Sequence, residues 1–83
     1  MADVIHKYGP IDPTMDRITC KGYPVYIGLH VDGKAYVWCR KHDGPEVNTE
    51  RTVRLVATGE PYIGPYYGTF IYPTGLVYHL VEI

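Results

Sequence analysis

The chain contains no serine, and its 83 residues include only one phenylalanine, one tryptophan and two cysteines. The missing serine rules out a serine nucleophile, leaving Cys20 and Cys39, which sit in apolar or strand contexts without a local catalytic motif. Two cysteines are too few for a disulfide framework, and no hydrophobic leader occupies Met1 to Pro10. These features lead us to expect half-buried thiols in a reducing cytosol. No run approaches the roughly 20 apolar residues that cross a bilayer, so no membrane partner is expected. Sustained helical periodicity bounded by caps is missing, as are glycine-rich strand-to-helix phosphate loops, repeats, low-complexity tracts and linkers.

Charge of one sign is also lacking. Eight basic and nine acidic residues leave a formal net charge of -1, too balanced for gripping duplex nucleic acid through its phosphates. A small anion needs only a local cluster. Metal-ligand spacing is poor as well: Cys39 and His42 lie three apart, and Cys20, His6, His30 and His79 supply no second closely spaced pair. No metal or cofactor is therefore expected. Asp3, Asp12, Asp16, Glu46, Glu50, Glu60 and Glu82 read as solvated charge in loops and near strand ends.

What the chain does have is tyrosine, nine in all. Tyrosine joins a flat apolar face to a polar tip, which suits interfaces and ligand walls as well as half-exposed strands. The length fits a single domain over 1–83 with a thin core, so a homo-oligomer is expected to supply further burial.

Alternation points to an all-β fold. Asp3 to Tyr8 reads as a first strand, stopped by Gly9-Pro10, and Arg17 to Lys21 as a second. Val25, Ile27, Leu29 and Val31 alternate with Tyr26, Gly28 and His30. Asp32-Gly33 then predicts a two-residue hairpin turn with positive φ angles, and Ala35, Val37 and Cys39 alternate on the return strand. Lys41 to Glu50, with Asp43-Gly44-Pro45, reads as a polar loop. Arg51 to Thr58 resumes alternation, with Val53, Leu55 and Ala57 on one face and Thr52, Arg54, Val56 and Thr58 on the other. Gly59 to Pro65 reads as a constrained loop. Tyr66 to Tyr72 and Leu76 to Glu82 form a last pair joined by Pro73-Thr74-Gly75. The sum is six or seven short antiparallel strands in meander order, forming a sheet, a sandwich or a partly open barrel.

One constellation carries ligand chemistry. Arg40, Lys41 and His42 end one strand while Arg51 and Arg54 begin the next, so basic groups gather at one end if the strands are neighbours. Beside them lie Thr58, Gly59 and Tyr62, followed by Tyr66 and Tyr67. Guanidinium groups grip phosphate bidentately, and aromatic faces stack on nucleobases. Trp38, central in its strand, is a further candidate wall, with a core role as its alternative.

These same residues resemble a family of short bacteriophage proteins of unknown function. The likeness runs from Ile5-His6-Lys7-Tyr8 through Val37-Trp38 and Glu50-Arg51-Thr52-Val53-Arg54 to Ala57-Thr58-Gly59-Glu60-Pro61. It continues with Tyr67-Gly68-Thr69-Phe70 and Gly75-Leu76-Val77-Tyr78-His79-Leu80, so it covers nearly the whole chain. Leu80-Val81-Glu82 departs from it, since an aromatic residue is expected before Glu82, and so does the Tyr- and Pro-rich loop before Tyr67. The resemblance implies a viral counter-defence factor in the host cytoplasm, similar to multimeric sponges that sequester nucleotide immune signals such as the cyclic dinucleotides of CBASS. Such a sponge needs no nucleophile, base or metal. The alternatives are an inhibitor that adds a β edge to a host protein, and a small enzyme acting on such signals.

Overall fold

The structure, a computed structural model, describes residues 2–14, 17–44 and 48–83. Asp16, Pro45 and Glu46, named above, lie outside the described residues. Among the described residues there are seven strands and no helix: β1 (Asp3–Ile11), β2 (Ile18–Lys21), β3 (Tyr23–Leu29), β4 (Ala35–His42), β5 (Glu50–Ala57), β6 (Tyr66–Ile71) and β7 (Val77–Glu82). They form two antiparallel sheets, a three-stranded one in the order β1-β4-β3 and a four-stranded one in the order β2-β5-β7-β6.

This order corrects the expected meander. Only β3–β4 and β6–β7 pair with their sequence neighbours, while β1 waits for β4 and β2 for β5. The chain changes sheet between β1 and β2, between β2 and β3, and between β4 and β5, so short connections here cross between layers. β1 also continues through Gly9-Pro10 to Ile11, with its register shifting between Tyr8 and Ile11. Proline is tolerated there because β1 is an edge strand, where a missing N–H disturbs no central ladder.

The β3–β4 hairpin stands, but its turn differs. Gly33 N donates to His30 O at 2.9 Å, and His30 N donates to Lys34 O at 3.0 Å. The loop is thus three residues, Val31-Asp32-Gly33, and of these only Gly33 has a positive φ, 78°. A tight turn closed by a left-handed glycine is the usual three-residue solution. Asp32 Oδ1 accepts from Lys34 N at 2.9 Å, a side-chain bond that makes the wider turn favourable. The β6–β7 turn repeats the design: Tyr72 N donates to Leu76 O at 2.9 Å and Gly75 N to Tyr72 O at 2.8 Å.

The core lies between the sheets. The first sheet contributes Ile11, Ile27, Ala35, Val37 and Cys39, and the second Cys20, Val53, Leu55, Phe70 and Leu80. Each large aliphatic side chain buried there contributes about 1.5–3 kcal/mol. Cys20 and Cys39, expected to be half-buried, are 1% and 0% exposed and enter the core from opposite sheets. Two valines expected on the inner face are not there. A bulge between Pro24 and Tyr26 turns Val25 outward, and Val31 sits in the turn, 94% exposed.

On β5 the face assignment is also modified, since Ala57 is exposed while Val56 is buried outside the central cluster, as is Val81. Both belong to the outer face of the four-stranded sheet, where Arg54 pairs with Val81 and Val56 with His79. The segment from Thr58 to Pro65 folds back over this face. It is tied at one end by Glu60 N donating to Ala57 O at 3.0 Å and at the other by Glu82 N donating to Pro65 O at 2.9 Å.

Candidate functional site

Period-two geometry decides where each β5 side chain goes. Arg51, Val53 and Leu55 face inward, and Arg54, three residues on from Arg51, faces outward with Val56. The two arginines therefore belong to different environments.

Arg51 closes one end of the sandwich. Its Nε donates to Gly22 O at 2.8 Å, and its Nη1 donates to Tyr67 Oη at 3.1 Å and to Glu82 Oε1 at 3.0 Å. Tyr67 donates to the same Glu82 oxygen, and the guanidinium stands 5.5 Å from the Tyr23 ring centre. Burial and the bond to Glu82 push the Tyr67 phenol up to about 12. Glu82 is held below the ordinary carboxylate range, first by the Tyr67 hydroxyl and then by Arg51. With its donors committed in this way, Arg51 is a structural clasp. It also borders a polar hollow of about 190 Å³ that brings together Arg40, Lys41 and His42. Four of the five basic groups named from the sequence thus do gather, and Arg54 is the one that stands apart.

Arg54 instead lines the outer face of the four-stranded sheet, where two hollows lie side by side. The first, about 420 Å³, is walled by Arg54, Pro61, Tyr62, Ile63, Glu82 and Ile83. The second, about 320 Å³, includes Val56, Gly59, Tyr62, Tyr66, Thr69 and His79. Tyr62 is common to both. Their sizes fall in the range of small-molecule sites.

His79 organises the second hollow. Its Nε2 hydrogen-bonds Thr58 Oγ1 at 2.9 Å and its Nδ1 hydrogen-bonds Thr69 Oγ1 at 2.7 Å, while the Tyr66 hydroxyl reaches the same Thr69 oxygen. The Tyr66 ring lies 6.3 Å from the imidazole. Arg54 Nη1 donates to Glu60 Oε2 at 3.0 Å, and Ala57 N donates to Glu60 Oε1 at 3.1 Å. The Glu60 carboxyl is accordingly held below its ordinary range, first by Arg54 and then by the Ala57 amide.

Of the eight residues read from the sequence as a nucleotide site, the fold brings Arg54, Thr58, Gly59, Tyr62 and Tyr66 together here. Arg51 and Tyr67 form the clasp at the sandwich end. Trp38 lies on the outer face of the other sheet, beside Tyr26 and Tyr36. His79, Thr69 and Glu60 join the site without having been chosen. Only the strand order β5-β7-β6, which sets Val56 opposite His79 and His79 opposite Thr69, reveals the first two. Glu60 carried a local signal, since a carboxylate three residues beyond a strand end can turn back to its amide.

Cys39 and His42 point to opposite faces of β4, because an odd spacing in a strand separates them. No cluster of three or more histidine, cysteine or acidic side chains suited to a metal occurs among the described residues, and no helix of the described chain is long and apolar enough to cross a membrane. No protein-family model, curated protein or solved structure matches this chain.

Proposed function

We propose that the protein binds and sequesters a small nucleotide second messenger, a cyclic dinucleotide or a relative, on the outer face of the four-stranded sheet without transforming it. The observation that carries this is the pair of adjoining hollows sharing Tyr62. Tyr62 and Tyr66 offer aromatic faces for bases, Thr58, Thr69 and His79 offer hydroxyl and imidazole groups for ribose or base edges, and Arg54 offers charge for phosphate. Two compartments with one common aromatic wall suit a ligand with two ring systems.

The same geometry argues for holding over cutting. Thr58 and His79 resemble a nucleophile and its base, yet the second imidazole nitrogen meets the hydroxyl of Thr69. An imidazolium formed during catalysis would gain no carboxylate partner there. Sequestration by a homo-oligomer at high copy is the role that the resemblance to short phage proteins implies, as counter-defence in the host cytoplasm. The edge strands of the two sheets, β1 and β3 in one and β2 and β6 in the other, support the second reading, strand addition to a host protein.

The test is to incubate the purified protein with a panel of cyclic dinucleotides and ADP-ribose derivatives, remove free ligand, denature by heat and analyse the supernatant. Intact ligand released only on denaturation is the expected result. Altered ligand would make the protein an enzyme, and no retention of any nucleotide would overturn the proposal.

A further inference from the structure

The outer face of the three-stranded sheet is separate from the site just described and carries a different arrangement. Strand alternation sends Tyr36, Trp38 and Arg40 outward from β4, and the register sets Lys7 of β1 and Tyr26 of β3 on either side of Trp38. The rings meet edge to face: Tyr26 and Trp38 at 5.5 Å between centres, Tyr36 and Trp38 at 6.2 Å, and His30 at 5.7 Å from Tyr36 and 6.2 Å from Trp38. Four rings from adjoining segments thus form one continuous surface, although an edge-to-face cluster of this kind normally belongs in a core.

Gly28 helps make that surface. A Cβ at this position would stand 2.6 Å from the Tyr26 ring, so the missing side chain lets the ring lie down on the sheet. Tyr26 nevertheless remains 61% exposed, because no described residue covers its other side. Ile5 extends the apolar surface and is 55% exposed. A contiguous patch of this kind usually marks an interaction site.

Charge indicates what the patch takes. The charged side chains in the middle of this face are cations: Lys7, whose Nζ lies 4.5 Å from the Tyr36 ring centre, and Arg40, opposite Ile5. Among the described residues the carboxylates of this face stand at its two ends, Asp3 beside His42 and Asp32 bonded to the Tyr36 hydroxyl and the Lys34 amide. An occupant matching this pattern has flat π faces spaced along a chain and negative charge between them.

We propose that this face is a stacking platform for single-stranded nucleic acid, with Trp38 at its centre and Lys7 and Arg40 on the phosphates. Unpaired bases stack on aromatic residues displayed by a sheet, and stacking carries such binding without a strongly basic protein. The near-neutral charge that argues against duplex binding is therefore compatible with a single strand. Duplex bases, being already stacked, would gain nothing here.

The chain has a single tryptophan beside nine tyrosines, so fluorescence excited at the red edge of the indole band, where tyrosine does not absorb, reports on the platform centre. Short oligothymidylate and oligouridylate titrated into the protein are expected to quench Trp38 and to raise the anisotropy of a labelled strand, whereas duplex DNA of equal length does neither. Two phosphate contacts predict a slope of log affinity against log salt of about −1 to −2. Tyr26→Ala and Trp38→Ala should each weaken binding about 5- to 100-fold, and Trp38→Phe should restore most of it by anisotropy. Lys7→Ala, at an exposed position, should leave folding intact and reduce the salt slope by about 0.7. Absence of quenching and of any anisotropy change would overturn the proposal. So would self-association abolished by Lys7→Ala or Tyr26→Ala, which would give the face to a second copy of the chain. Nucleotide retention at the other sheet is read separately with Arg54→Ala, so either site can fail without the other.

Discussion

Replacing each of the two β5 arginines by alanine should produce opposite phenotypes. Arg51 makes three hydrogen bonds, to Gly22 O, Tyr67 Oη and Glu82 Oε1, with its side chain 21% exposed. Bonds of a charged donor contribute about 1.5–3 kcal/mol when well shielded. Partial exposure reduces this, while the stranded Glu82 carboxylate adds to the cost of Arg51→Ala. We expect a loss of about 2 kcal/mol. For a domain of this size that corresponds to a drop in Tm of about 8–16 °C. Arg54→Ala removes a guanidinium from an exposed pair, so Tm should move by no more than about 3 °C. In nucleotide binding the order reverses. Arg54→Ala should weaken the retained ligand about ten- to hundredfold through loss of a charge-assisted phosphate contact, whereas Arg51→Ala, measured well below its Tm, should bind as wild type does. Circular dichroism melts and calorimetric titration of both variants provide the readouts. An Arg51→Ala protein that melts like wild type, or loses ligand as Arg54→Ala does, would refute the division between clasp and pocket.

Further outcomes follow from the same contacts. Glu60→Gln should tighten nucleotide binding about two- to fivefold, because the carboxylate that occupies Arg54 and the Ala57 amide competes with phosphate; unchanged or weaker titration would show that Arg54 does not meet the ligand. The Tyr67 phenol, raised to about 12 by burial and Glu82, keeps its proton where the unfolded chain loses it. Its stabilising contribution is complete below about pH 10, declines above that and is gone beyond about 12, so Tyr67→Phe should flatten the alkaline limb of a stability–pH profile. Glu82, shifted down, contributes above the ordinary carboxylate range, and this is lost as pH falls through its lowered value. Cys39, pushed up by the adjoining Cys20 thiol and by burial, should not react with a thiol reagent until the protein unfolds, and the double Cys20→Ala, Cys39→Ala variant should bind nucleotide but lose about 1–3 kcal/mol. Light scattering after size exclusion should give a mass at least twice that of the chain, and a monomer unchanged on dilution would refute self-association at the open edges.

Local chemistry made much of the fold legible. Alternation over Ala35, Val37 and Cys39 predicts the buried face of β4, and glycine after a polar residue marks both hairpins. What local pattern does not carry is which distant strand becomes a neighbour. Nothing within Asp3 to Ile11 names β4 as its partner, and Val56 and Val81 look like surface valines until the segment from Thr58 to Pro65 folds over them. Pro10 reads as a stop and yet lies within β1, because only the sheet order shows that this strand is an edge. The candidate site was legible in its residue types and misread in its grouping. Arg51 and Arg54 are close in sequence and share a chemistry, but a spacing of three in a strand parts them, and the same parity sends Trp38 away from Cys39. The contribution of His79 depended on two strand pairings, so it came into view only with the sheet.

The sheet order also governs how the protein can be made. Strands β1 and β2 leave the ribosome well before their partners β4 and β5, which end at His42 and Ala57. Until then Ile11 and Cys20 have no opposite layer to bury them, and the two strands present unpaired backbone to whatever is nearby. The first stretch that can organise itself during synthesis is the β3–β4 hairpin, which then serves as the template on which β1 docks. The second sheet must wait longer, since β7 supplies the centre of β5-β7-β6 and is synthesised after both of its partners. A nascent chain stalled before Val77 would therefore hold the three-stranded sheet and the β2–β5 pair with β6 still unpartnered, which makes the six residues of β7 decisive for closing the second layer over the core.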